Sequence, residues 1–262
     1  VKLVADNLQI TRPRLAAALE RRDPAPLQAA VQALEAGGAE AIDLNTGPLG
    51  RNAVRDMVFC LETVQAATDL PVLIDTANLL AMKAGLAANR KTVVVNGISL
   101  EPRKLEGILP LAVEHDVAVI GYLLDAHSRL PRQLEERLAL ALDLFQRCRS
   151  AGLRPERLVI DPVVAPLIWE DGLQCNRDLL EVLRRLPELF DFPVRTVAGL
   201  SNLTTGKGPP VVKRRIEQAY LCMLAAAGLS WVLLDIHHGD TVALARSAGL
   251  LLQNTVFAWD SV

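Results

Sequence analysis

Acidic and carboxamide side chains recur where the apolar runs of this chain give out: Asp6-Asn7, Asp43 with Asn45, Asp75, Asn96, Asp161, Ser201-Asn202, and Asp235 with His237. Any one of them could cap a loop or satisfy a strand end. Gathered in one cavity, they would need partners for their desolvated polar groups, and a bound ligand is the natural supplier. A carboxylate can accept two parallel hydrogen bonds from a flat heterocycle that bears an amino group beside a ring N–H. Carboxamides complement the mixed donor and acceptor edges of such a ring. A pterin, an aminopyrimidine and a purine all fit that description, and residue chemistry alone does not choose among them.

Other chemistries find little support. Among the four histidines only His237 and His238 are close in sequence, and neighbours on an extended segment point opposite ways, so no metal site is expected. Cys60, Cys148, Cys175 and Cys222 form no Cys-x-x-Cys pair and read as packed thiols. The segment Gly206-Lys207-Gly208 is the nearest thing to an anion nest, but it lacks Walker spacing. A net charge of -2 with scattered Lys and Arg leaves no footprint for a nucleic-acid backbone. With 51% hydrophobic and 22% charged residues the chain has ample apolar surface to bury. No apolar run reaches the roughly 18 residues needed to cross a bilayer, and the opening residues are too polar for a signal peptide, so a cytoplasmic protein without a membrane partner is expected.

Eight short runs rich in β-branched residues could position the polar tips: Lys2-Ala5, Glu40-Asn45, Pro71-Asp75, Thr92-Asn96, Val117-Leu123, Leu158-Asp161, Val194-Gly199 and Trp231-Ile236. Each is followed by a stretch of helical periodicity: Pro24-Ala36, Ala53-Ala67, Leu79-Ala88, Pro102-His115, Gln133-Ala151, Asn176-Leu186, Val211-Ala227 and Thr241-Leu250. Asp23 can cap the helix opening at Pro24, and Gly37-Gly38, Gly152 and Gly228 follow helix ends. Eight such units predict a single α/β domain over residues 1–262, a (β/α)8 TIM barrel, with an open doubly wound sheet as the alternative. In a barrel of this kind the C-terminal strand ends carry function, and those are the positions of the acids and amides. Apolar positions such as Leu138, Leu142 and Phe145 could serve a homodimer interface or pack on the barrel.

The segments Ile42-Asp43-Leu44-Asn45-Thr46-Gly47-Pro48, Leu73-Ile74-Asp75-Thr76, Val95-Asn96, Ile160-Asp161-Pro162 and Gly199-Leu200-Ser201-Asn202 resemble the strand-end motifs of pterin-binding methyltransferases. The resemblance spans nearly the whole chain. It is strongest to the methyltetrahydrofolate:corrinoid/iron-sulfur protein methyltransferases, with dihydropteroate synthases and the folate domain of cobalamin-dependent methionine synthase more distant. It implies that Asp75, Asn96 and Asp161 hydrogen-bond the pterin, that Asp43, Asn45 and Ser201 belong to the same pocket, and that Asn202 is the catalytic residue near N5. It also implies methyltetrahydrofolate as substrate and a separate corrinoid protein as partner, with no metal bound by the chain itself.

The chain departs from that pattern at two places. Ala5-Asp6-Asn7-Leu8-Gln9 stands where a Gly-Glu-Arg-x-Asn segment is usual, leaving Asp6, Asn7 and Gln9 as further candidates. Leu234-Asp235-Ile236-His237-His238 brings imidazoles to the last strand end, where a histidine could supply protons at neutral pH. Lys207, Lys213, Arg214 and Arg215 could meet a folate glutamate tail or an acidic partner. The altered first segment keeps open a methyltransferase or demethylase component with a different methyl donor. A dihydropteroate synthase-like enzyme is a further alternative, although Ser201-Asn202 replaces its Ser-Arg or Lys pair. A non-catalytic, partner-binding barrel is a third reading.

Overall fold

The computed structural model describes residues 1–252; residues 253–262, the end of the expected domain, lie outside the described residues. Its strands are β1 (Lys2–Gln9), β2 (Ala41–Asn45), β3 (Val72–Asp75), β4 (Val93–Ile98), β5 (Ala118–Tyr122), β6 (Leu158–Asp161), β7 (Arg195–Gly199) and β8 (Trp231–Leu234). The helices are α1 (Pro13–Arg21), α2 (Ala25–Ala36), α3 (Ala53–Ala67), α4 (Leu79–Ala88), α5 (Pro102–Glu114), α6 (Leu134–Ser150), α7 (Gly172–Leu189), α8 (Pro210–Ala226) and α9 (Gly239–Leu251). The strands pair in sequence order, all parallel, and β1 closes on β8, so the molecule is a TIM barrel and not an open sheet.

A parallel strand buried on both faces needs apolar side chains pointing both ways. The outward residues, such as Leu3, Ile42, Ile74, Val95 and Ile160, join the helices in the larger core. The inward ones form a separate cluster of Val4, Ala41, Leu73, Val94, Ala118, Ile120, Val159 and Val197. Burying each larger side chain of this kind contributes about 1.5–3 kcal/mol. Continuing each strand by two residues keeps the same facing. That step turns Ala41 into Asp43 and Asn45, Leu73 into Asp75, Val94 into Asn96, Ile120 into Tyr122 and Val159 into Asp161. The packed floor therefore becomes polar in one layer.

Several elements differ from expectation: β4 runs two residues past Asn96 to Ile98, β8 stops at Leu234 before Asp235, and α7 spans Gly172–Leu189. β1 runs on to Gln9 with a register shift between Ala5 and Leu8, so Asp6 and Asn7 lie within the strand and not at its end. Helix α1 went unread in the sequence; Pro13 opens it, and Arg22 ends it at φ 54. Asp23 does serve α2, its Oδ1 accepting from the Ala25 amide at 3.0 Å. Gly38 takes the left-handed turn before β2 at φ +100, a conformation that a side chain would oppose. Leu138 is buried, and Leu142 and Phe145 pack on the core, Phe145 stacking edge-on against Phe190 at 5.1 Å. Cys60, Cys148 and Cys175 are buried and Cys222 is partly so. No described helix is long and apolar enough to cross a membrane.

Candidate active site

Register aligns the polar layer. Gln9 lies beside Asn45, Asn45 beside Asp75, Asp75 beside Asn96, and Tyr122 beside Asp161. Within it the side chains hold one another. Asn45 donates from Nδ2 to Asp75 Oδ2 at 2.6 Å while its Oδ1 accepts from the Gly47 amide at 2.9 Å. Asn96 donates to Asp43 Oδ1 at 2.9 Å, and the Tyr122 hydroxyl donates to Asn96 Oδ1. Asp161 accepts from the Val163 amide at 2.8 Å, which leaves its other oxygen for a ligand.

On the β1 and β8 side, Asn7 donates to Asp235 Oδ1 at 2.6 Å and accepts from the Ile236 amide at 2.9 Å. Asp6 accepts from the Ser201 hydroxyl at 3.2 Å, linking β1 to the turn after β7. That turn is a short 3-10 helix, Leu200–Thr204, on which Asn202 is exposed. A β-carbon at Gly199 would stand 3.1 Å from Asn202 Nδ2, so the glycine makes room for the amide to fold back over the tip of β7.

The candidates read from the sequence thus fall into three groups. Asp43, Asn45, Asp75, Asn96 and Asp161 share the inward face of β2, β3, β4 and β6, whereas Asp6 with Ser201 and Asn7 with Asp235 are joined by hydrogen bonds across β1, β7 and β8, Asn7 lining a cavity against α1 and α2. Gln9 is exposed and reaches only the Asp6 carbonyl, while Lys207 is exposed on the loop before α8. His237 is exposed; its backbone N–H supports Asp235, and its ring borders a cavity of about 310 Å³ with Asn7, Arg12 and Arg14. Sequence reading passed over Tyr122, because an aromatic residue closing an apolar run reads as core.

Crowding carboxyl groups into this mouth raises their pKa values. Burial pushes Asp161 up to about 7, against the pull of the Val163 amide. Asp43 is raised by burial and then by the charge of Asp75, with the Asn96 hydrogen bond opposing; Asp75 is raised by its own burial. Burial likewise raises Asp6, and it lifts the Tyr122 hydroxyl well above its ordinary range. Asp235 goes the other way. Its burial acts upward but is outweighed by the Asn7 hydrogen bond, the His237 amide and the two imidazoles, so it stays ionised. A wall of acceptors whose protons are held near neutrality can exchange them for the N–H donors of a ligand.

The pterin binding enzyme family model matches residues 14–235 of this closed eight-strand barrel, and so spans every strand that contributes to the acceptor-lined mouth except β1. The chain belongs to that family. Among its relatives, the methylcorrinoid:tetrahydrofolate methyltransferase of Eubacterium limosum is 23% identical over 96% of this chain and 91% of its own length. The methionine synthase of Mycobacterium leprae is 25% identical over 74% of the chain, which matches only 16% of that longer protein. In fold the chain is similar to the dihydropteroate synthase of Xanthomonas albilineans with 4-aminobenzoic acid, at a TM-score of 0.70 and 19% identity over 96% of this chain and 92% of that one.

Proposed function

We propose that this chain is a methyltransferase that moves the N5-methyl group between methyltetrahydrofolate and the cobalt of a corrinoid carried by a separate protein. The observation that carries the reading is the common inward facing of Asp75, Asn96 and Asp161 toward the C-terminal ends of three strands, with Asn202 folded over Gly199 at the same end of the barrel. The similarity to the methylcorrinoid:tetrahydrofolate methyltransferase along nearly the full length supports the same chemistry.

Asp161 and Asp75 accept from the amino and ring N–H groups of the pterin, and Asn96 offers its remaining N–H and lone pair. Asp43 and Asn45 hold Asn96 and Asp75 in place. The corrinoid cobalt, when the partner brings it, supplies the centre that takes up or gives up the methyl group. As the bond from N5 to the methyl carbon breaks, N5 must gain a proton or a strong hydrogen bond. Asn202 is neutral and a poor acid; it donates a hydrogen bond to N5 that strengthens as the transition state develops. The proton itself arrives through water at the open mouth.

The test is methyl transfer from methyltetrahydrofolate to chemically reduced cobalamin, followed by the absorbance of the cobalt, with tetrahydrofolate binding measured separately by calorimetry. Absence of transfer to both free and protein-bound corrinoid would overturn the reading. Tight folate binding without transfer would point to a different methyl donor.

A further inference from the structure

The exposed large apolar side chains are concentrated on one end of the barrel. Ile168 and Trp169 lie in the loop after β6, Leu173 in the first turn of α7, and Val211 and Val212 in the first turn of α8, with exposures of 69%, 48%, 64%, 53% and 48%. All belong to segments that follow a strand, so they rim the mouth. This sector also abuts the turn that carries Asn202. The Leu167 amide donates to the Leu203 carbonyl at 2.9 Å, and Ile168 Cδ1 would stand 3.1 Å from a β-carbon at Gly206. Beside the apolar residues, the stretch from Thr205 to Ile216 holds Lys207, Lys213, Arg214 and Arg215 and no acid. Arg214 faces Asp240 at 3.6 Å and Lys213 reaches the Gly206 carbonyl, which leaves Lys207 and Arg215 exposed on the rim.

We propose that this sector, centred on Trp169, is the docking face for the corrinoid-carrying protein, whose matching surface is apolar with an acidic edge. Exposed apolar side chains around a large aromatic residue, with a cationic stretch on the α8 side, have the composition of a protein interface, and that stretch selects an acidic partner edge; between Trp169 and Leu173, Glu170 is exposed and Asp171 pairs with Arg132 at 3.0 Å. Its place decides the occupant. A protein seated on the β6–α7 and α8 rim brings its prosthetic group over Asn202, whereas the exposed Leu79 and Leu80 stand on the opposite rim, after β3. This rests on the methyl-transfer reading above.

The experiment compares free cob(I)alamin with a corrinoid protein that serves the Eubacterium limosum relative, both as acceptors from methyltetrahydrofolate. The variants are Trp169→Glu with Leu173→Glu, Lys207→Glu with Arg215→Glu, and Leu80→Glu as a control on the far rim. Both double variants are expected to raise KM for the corrinoid protein about tenfold or more. In the Trp169 and Leu173 variant kcat, folate affinity and transfer to free cobalamin should stay within about twofold, and Leu80→Glu should change nothing. Higher salt should raise the wild-type KM for the protein acceptor and leave free cobalamin unaffected. An unchanged KM in the Trp169 and Leu173 variant overturns the docking face, as does a wild type that turns over free cobalamin but not the protein. A wild type inactive with both acceptors overturns the underlying function instead.

Discussion

The hydroxyl of Tyr122 fixes which way the amide of Asn96 faces: it donates to Oδ1, so Nδ2 is the group turned to Asp43 at 2.9 Å. One N–H and one lone pair of Asn96 then remain for a ligand. Tyr122→Phe removes the donor and lets the amide rotate, which is expected to weaken tetrahydrofolate binding about five- to tenfold, equivalent to roughly 1 kcal/mol for one hydrogen bond. Titration calorimetry reads this directly, with the melting temperature as a control. Unchanged affinity would show that the amide is held without Tyr122.

Asp161 gives ligand binding a pH dependence of definite sign. Its carboxyl titrates at about 7 because it is buried, yet a ligand that donates N–H groups requires the ionised form. Pterin affinity should therefore fall as pH drops below about 7 and level off above it, with proton release on binding at pH 6. Calorimetry in two buffers of different ionisation enthalpy would measure that release. Asp161→Asn should bind weakly and lose the part of the slope near 7, leaving the part below about 6 that belongs to Asp75.

The same carboxyl group costs stability. An unfolded Asp161 loses its proton near 3.8 and the folded one near 7, so between these values the folded state holds the extra proton. Stability from this group falls as pH rises through that window, and the full penalty persists above it. Asp161→Asn, which keeps an acceptor for the Val163 amide, should be more stable than the wild type at pH 8 by roughly 2 to 4 kcal/mol. The difference should vanish below pH 3.8. Equal denaturation midpoints at pH 8 would contradict the burial penalty.

The barrel was legible because a strand packed on both faces and a helix packed on one leave different periodicities, and these alternate along the chain. The acids and amides were legible for a related reason: inward positions that are apolar at the floor turn polar two residues later, as from Leu73 to Asp75. Asp6 and Asn7 were misplaced at a strand end because the register shift in β1 leaves no mark in residue type. Tyr122 was missed since its role depends on a cross-strand neighbour, Asn96, that local sequence does not reveal. The relation of Asn202 to Gly199 was hidden likewise, because it arises only once the chain folds into the 3-10 turn.

That turn supplies the sharpest test of the reaction chemistry. Asn202 is exposed and makes no contribution to the packed floor, so Asn202→Ala should fold normally and keep its affinity for folate. If its amide stabilises N5 only as the bond to the methyl carbon breaks, the loss belongs to kcat, about 100- to 1,000-fold by analogy with removal of a single oxyanion donor. Gly199→Ala approaches the same step from behind. The added β-carbon would press on Nδ2 from 3.1 Å and displace the amide without altering its chemistry, so a smaller loss of kcat, with KM little changed, is expected. Single-turnover transfer to reduced cobalamin separates this effect from binding. If Asn202→Ala turns over at the wild-type rate, N5 is protonated without help from this residue.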